Sequence, residues 1–312
     1  MIDIIKKIIK RILGIIPMLI IVSFISFALM NLSSGDPAEI MLSSQGTVVN
    51  KELLESVRES MGLNKPFLSQ YFYWLKNIVH GDFGTSYVSG RSVLVEMNEH
   101  LPYTIKLAGS AMLITLIISI PLGILSAINK DKFIDRLIRA FTFVGNSIPG
   151  FLLALILLLI FSLKLKLLPI LSESGAKSII LPSVTLAVSM TSKYIRQIRT
   201  AVIDEMNKGY VKGSRSRGVK ESVILYKDVL KNIMITVITL TGLSIGSLMG
   251  GTAVVESIFV WPGVGRLALS AIANRDYPVI QAYVLWMAVM FIIINLITDL
   301  LYKIIDPRVR EV

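Results

Sequence analysis

The chain has 312 residues, 54% of them hydrophobic, a formal net charge of +11 and no cysteine. Repeated apolar runs of about 20 residues exclude an ordinary soluble domain. The lack of cysteine and the presence of only His80 and His100 exclude a disulfide framework, a thiolate zinc site and an iron–sulfur cluster.

Lys6, Lys7, Lys10 and Arg11 precede the first apolar run. No A-x-A-like cleavage site stands near Asn31 to Gly35, so a retained first span is expected rather than a cleaved leader. Apolar spans are predicted at about 12–30, 104–128, 137–162, 180–203, 232–255 and 281–304, each able to cross roughly 30 Å of hydrocarbon. Six spans place both termini on one side. With 1–11, 129–139, 193–231 and the C-terminus assigned there, that side collects 21 of the 32 Lys and Arg but only 10 of the 21 Asp and Glu. Positive residues mark the cytoplasmic side. The basic balance therefore reflects topology and anionic lipid, and no nucleic-acid-binding pattern accompanies it. The expected organisation is a tail and first span over 1–30, an extracytoplasmic helical region over 31–103, a core of five spans over 104–306 and a cytoplasmic tail over 307–312.

Within 31–103, Leu53, Leu54, Val57 and Met61 recur at helical spacing, which predicts a short amphipathic helix closed by Gly62. Pro66 suits a second helix start, with Phe67, Tyr71, Trp74 and Ile78 on one face. The aromatic run Phe67, Tyr71, Phe72, Tyr73 and Trp74 reads as an anchor on the outer leaflet rather than a substrate cage. The turn Gly81-Asp82-Phe83-Gly84 ends it.

Pro121 and Pro149 mark expected bends in spans two and three. Thr115, Ser119 and Ser147 can bond back to their own helices, whereas Asn146 is a candidate for a polar interior. Between these spans Lys130, Lys132, Arg136 and Arg139 with Asp131 and Asp135 form a connector read as a solvated face. Lys193, Arg196 and Arg199 fit span four emerging into the cytoplasm. In span five Gly242, Gly246 and Gly250 stack on one face with Gly251 adjacent, permitting close contact within this chain, with a partner, or along a pathway. Pro262-Gly263 and Trp261 argue for a re-entrant or surface loop before the last span. There Asp299 and Lys303 read as an i, i+4 ion pair at the cytoplasmic end.

The hydrophilic segment 204–231, between spans four and five, combines positive charge with small residues. Lys208, Lys212, Arg215, Arg217, Lys220, Lys227 and Lys231 surround Gly209, Gly213, Ser214, Ser216 and Gly218. Tyr210, Val211, Val219 and Val223 at helical spacing supply an apolar strip for docking. Such a segment can attract lipid headgroups, and its small residues also admit another protein's surface.

Several stretches resemble the peptide/nickel branch of ABC-importer permeases. In order they are Gly35-Asp36-Pro37; Met61-Gly62-Leu63-Asn64-Lys65-Pro66; Gln70-Tyr71 with Trp74-Leu75; Gly81-Asp82-Phe83-Gly84-Thr85-Ser86; Tyr210-Val211-Lys212 through Arg215-x-Arg217-Gly218-Val219 to Leu230-Lys231-Asn232; Glu256-x-Ile258-Phe259-x-Trp261-Pro262-Gly263-x-Gly265; and Arg275-Asp276-Tyr277-Pro278-Val279-Ile280-Gln281. The first of the cytoplasmic stretches is similar to the family's EAA loop, with Lys212, Gly213 and Ser214 at the triplet, Gly218 at the glycine and Lys231 in place of the closing proline. The resemblance covers nearly the whole chain. It implies an all-α polytopic permease of the type I importer fold in the bacterial cell membrane, with six transmembrane helices and both termini cytoplasmic. It further implies ATPase coupling through Tyr210, Val211, Gly213, Ser214, Arg215, Arg217, Gly218 and Val219. The implied partners are a second homologous permease in a heterodimer, two ATPase subunits that bind ATP and Mg, an external substrate-binding protein and membrane lipid, with no cofactor or metal in this chain. Pathway or packing candidates are Asn146, Ser147, Gly242, Gly246 and Gly250.

No G-x-x-x-x-G-K-[ST] occurs, so this chain has no phosphate-cradling loop of that kind. The alternative of an ion-gradient-driven carrier or channel calls for ionisable groups at mid-membrane depth, and these spans show almost none. A membrane enzyme calls for a convergent His, Cys or carboxylate cluster, for which two distant histidines give poor material.

Overall fold

The computed structural model describes residues 2–32, 35–44, 46, 49–170 and 175–305, with the side chains of 2–13, 175–176, 251 and 299–305 outside that description. The expected Asp299–Lys303 pair and the 307–312 tail therefore lie outside the described residues. The described residues are helical apart from turns, with one isolated bridge between Thr85 and Ser92. The order is α1 (Ile2–Asn31), α2 (Pro37–Ser44), α3 (Lys51–Ser60), α4 (Phe67–Val79), α5 (Val93–Ile128), α6 (Phe133–Ser147) and α7 (Gly150–Leu157), which continues as a π-helical Leu158–Lys164. Then come α8 (Ile180–Met206), α9 (Gly209–Ser216), α10 (Glu221–Val223), a π-helical Ile224–Val229, α11 (Leu230–Gly251), α12 (Ala253–Ile258), α13 (Val264–Ala273) and α14 (Tyr277–Ile305).

Among the described residues five helices are long and apolar enough to cross a membrane, and six spans result if α6 and α7, bent by 99° at their break, count as one. The bend has a local cause. Pro149 disfavours the helical conformation at the residue before it, and Ile148 is extended at ψ 123°. Pro121, by contrast, does not interrupt α5, which runs unbroken through it; membrane helices tolerate a proline where neighbouring groups satisfy the freed carbonyl.

The chain divides into two compact units, Met1–Tyr103 with Pro262–Ile292, and Thr104–Trp261 with Ile293–Val312. In the first, the Asn50 side chain caps α3 by accepting from Leu53 N–H at 2.7 Å. The aromatic face of α4 is not solely an outer-leaflet anchor. Phe67, Tyr71 and Trp74 pack on Phe24 and Phe27 of α1 with ring centroids 5.2–5.8 Å apart, and the Tyr71 and Ser23 hydroxyls lie 2.9 Å apart. Phe72 and Tyr73 are more than 60% exposed. A separate core joins Val93 and Met97 of α5, Val264 and Ala271 of α13, and Val279 and Ala282 of α14. The buried Asp276 carboxylate organises the loop before α5. It accepts from Ser86 Oγ at 2.5 Å, Tyr87 N–H at 3.1 Å and Val88 N–H at 3.4 Å. Burial, and then the Asp276 charge, pushes the Tyr87 phenol above its usual range.

In the second unit α8 is the central rod, packed by α6, α7 and α11. Ala154, Leu181, Val255 and Phe259 form its apolar core. The stretch expected to be a re-entrant or surface loop keeps a non-helical turn at 259–263, between the short helices α12 and α13. Trp261, expected at the membrane interface, is buried at 5% exposure. It follows Val260, a left-handed residue at φ 53°, and its N–H closes α12 onto Glu256 C=O at 2.8 Å. Glu256 is itself buried and accepts from Thr104 Oγ1 at 2.7 Å and Thr252 Oγ1 at 3.0 Å.

The glycines of α11 do not share one environment. Gly242 is buried, Gly246 half-buried and Gly250 exposed. A Cβ at Gly242 would collide with the Thr298 side chain of α14, so this glycine serves packing within the chain. Gly242→Ala should lower the unfolding free energy of the solubilised protein by about 1–3 kcal/mol. Adding Thr298→Ala should recover most of that loss in thermal denaturation, and a double variant no better than Gly242→Ala would contradict this packing assignment.

Candidate functional site

The hydrophilic segment folds into α9, a two-turn helix held at the corner between α8 and α11. Lys208, extended at ψ 154°, turns the chain sharply after α8. Val211 is fully buried and Ser214 nearly so, and both point into their own chain. The expected docking strip is therefore divided. Val211 anchors the helix, while Tyr210 and Val223 remain more than a third exposed and Val219 is half-buried.

One carboxylate ties the corner together. Glu205, the second-last residue of α8, accepts at Oε1 from the Tyr210 hydroxyl at 3.0 Å and from Asn232 Nδ2 at 2.9 Å, while Lys208 Nζ meets Oε2 at 2.6 Å. Asn232 Nδ2 also donates to the Tyr210 hydroxyl at 3.2 Å. Three elements thus share one acceptor. Burial raises the Tyr210 phenol above its ordinary value, so it stays protonated and donating at neutral pH. Sequence reading did not single out Glu205 or Asn232. The available signal was a carboxylate on the buried face of α8, in register with Ile198 and Val202.

The far end of α9 closes on Gly218. Val219 N–H bonds Ser214 C=O at 3.1 Å and Gly218 N–H bonds Arg215 C=O at 2.9 Å, a pairing that needs a left-handed residue between. Gly218 provides it at φ 77°, with nothing within 4 Å of where its Cβ would stand. Conformation, not space, demands glycine here. Lys212, Arg215, Ser216 and Arg217 are exposed and Gly213 half-exposed, giving α9 a basic outer face of low relief. Arg215 reaches Glu221 at 2.5 Å and Arg217 donates to Ser214 Oγ at 3.2 Å. The helix continues unbroken through Lys231, where the general family pattern has proline.

The connector expected to be a solvated face holds a buried clamp. Asp135 is fully buried and accepts two parallel bonds from Arg199 Nε and one terminal nitrogen, both at 2.8 Å, with Ser126 Oγ at 2.5 Å and Asp131 N–H at 2.9 Å completing its shell. Arg199 thereby joins α8 to the start of α6. Asn146 and Ser147 sit away from α9, exposed at the break of span three. Among the described residues no three His, Asp or Glu side chains converge on a metal-sized site.

Two family patterns match this chain, "Binding-protein-dependent transport system inner membrane component" over residues 119–311 and its N-terminal component over residues 4–108. The metal-staphylopine import system permease protein CntB of Staphylococcus aureus is 39% identical over 307 residues, 98% of each chain. The glutathione transport system permease protein GsiC of Escherichia coli is 38% identical over 303 residues, 97% of this chain and 98% of that one. Inward facing conformations of the MetNI methionine ABC transporter superpose with a TM-score of 0.57 at 14% identity, covering 67% of this chain and 96% of the other, which supports the fold. With its broken and unbroken spans, its basic cytoplasmic corner and these two full-length relatives, the chain belongs to the inner membrane components of binding-protein-dependent transport systems, the permease subunits of ABC importers.

Proposed function

We propose that α9 receives the power stroke of ATPase subunits and that this chain, beside a second homologous permease, forms the pathway for a metal complex or a small peptide delivered by an external binding protein. The observation that carries this reading is a basic helix with small residues outward and its apolar side locked into its own chain. ATP and Mg belong to the partner ATPases. What this chain contributes is mechanical, with no catalytic residue of its own.

Closure of an ATPase pair would push on α9. Because Val211 and the Glu205 cluster fasten α9 to α8 and α11, the push moves those rods rather than bending the helix. The Asp135–Arg199 clamp carries the same motion into α6. Hydrolysis then resets the spans. The proposed substrate class is supported by the names of CntB and GsiC, one a metal-staphylopine permease and the other a glutathione permease.

Uptake by the assembled transporter should survive collapse of the proton gradient and stop on ATP depletion; the reverse dependence would point to an ion-driven carrier. Glu205→Ala should leave ATP hydrolysis largely intact while cutting uptake severalfold, since loss of three shared bonds loosens α9 by about 1–3 kcal/mol. At the cap, Gly218→Asn should retain uptake because asparagine tolerates the left-handed region. Gly218→Val should insert normally yet lose uptake by about tenfold, the equivalent of about 1.4 kcal/mol. Equal activity of the two Gly218 variants would remove the cap from the mechanism.

A further inference from the structure

The two helices α6 and α8 approach closely at Gly145, where a Cβ would stand 2.5 Å from Ser192 Oγ and 3.4 Å from Val188 Cγ1. Just beyond this crossing, span three breaks. The 15 residues of α6 extend about 22 Å from the cytoplasmic connector, and with α6 and α7 taken as one broken span the break falls part-way through a hydrocarbon core of roughly 30 Å. It leaves the last carbonyls of α6 and the first N–H groups of α7 without partners inside either helix. Asn146, Ser147, Pro149 and Gly150 are all exposed there. Irregular backbone at such depth is tolerated against protein or water, not against lipid tails.

The neighbouring helix presents charge at the same level. Lys193 directly follows Ser192 and is the middle residue of the 27-residue α8. It is exposed, and Arg196, Gln197 and Thr200 continue the exposed polar side toward the cytoplasm. Arg199 on the same helix is bound by Asp135, whereas among the described residues Lys193 and Arg196 make no ion pair. The Thr191 hydroxyl, two positions before Lys193, is buried with no hydrogen-bond partner. A lysine and a broken helix together at this depth are costly in lipid and serviceable beside water and an anion.

We propose that Asn146, Ser147 and Lys193 line a water-filled stretch of the translocation pathway that favours solutes bearing carboxylates. Lys193 supplies the attraction, and the open backbone and amide at 146–150 supply the hydrogen bonds. This rests on the permease reading of the chain but not on how ATP drives it. Span four therefore does not simply emerge into the cytoplasm at Lys193; its cationic side faces the route.

The chain has no cysteine, so single-cysteine variants carry one thiol each. Asn146→Cys, Ser147→Cys and, as a lipid-facing control, Ile117→Cys, 63% exposed among apolar residues of α5, would be made in the full transporter in inside-out vesicles without nucleotide. Each is exposed to an anionic sulfonatoethyl and a cationic trimethylammonioethyl methanethiosulfonate. The expected result is labelling at 146 and 147, at least about fivefold faster with the anion, and none at 117; a nearby charge acting through water is worth about that factor. Lys193→Gln should abolish the preference without abolishing labelling. Inert thiols at 146 and 147 would mean that lipid or the second permease covers the break, and a preference unchanged by Lys193→Gln would mean that the lysine faces elsewhere; either result overturns the proposal. Because no nucleotide is present, these outcomes stay separate from any failure of the ATP-coupling mechanism.

Discussion

The Glu205 carboxylate is the point on which the cytoplasmic end of this permease depends. It is the acceptor at which α8, α9 and α11 meet, and its donors come from Tyr210, Lys208 and Asn232. A short helix such as α9 has little stability of its own, since nucleation is unfavourable and eight residues add few bonds. Its persistence comes from tertiary contacts. Val211 supplies the apolar anchor, Glu205 the polar one, and Gly218 the clean stop. A helix so fixed can pass a push onward, whereas a loosely hung one would absorb it.

The same reasoning extends up the second unit. Buried charges are expensive to leave unpaired, and Asp135 offsets that cost with two guanidinium bonds, a hydroxyl and a backbone N–H. Breaking one partner would leave an uncompensated charge, so the clamp favours α6 and α8 moving together. Gly145, near the end of α6, on Ser192, near the middle of α8, brings these rods close. Close approach between membrane helices depends on small residues because lipid offers no hydrophobic drive for association. In the proposed mechanism, coupling through α8 rests on packing and a few bonds.

In the first unit the aromatic segment illustrates how one pattern serves two surroundings. Residues three and four apart on α4 share a face, so Phe67, Tyr71 and Trp74 turn together onto α1 while Phe72 and Tyr73 turn away. The loop that follows depends on Asp276, nearly two hundred residues distant in sequence, for its hydrogen bonds.

The amino-acid order alone determined that the chain spans a membrane, which side its basic residues occupy, roughly where its spans lie, and which family it resembles. Each rests on local physics, namely hydropathy over about 20 residues, charge near span ends, and the backbone needs of residues such as Pro149 and Gly218. Only the tertiary structure decided that Val211 faces inward, that Asp135 is buried against Arg199, that Trp261 is buried, and that Glu205 and Asn232 meet Tyr210. Those outcomes depend on which helix lies against which, and apolar periodicity marks a buried face without naming the neighbour that will cover it. A carboxylate on that face reads as an anomaly until the donors that satisfy it, brought from distant turns of the chain, are in place.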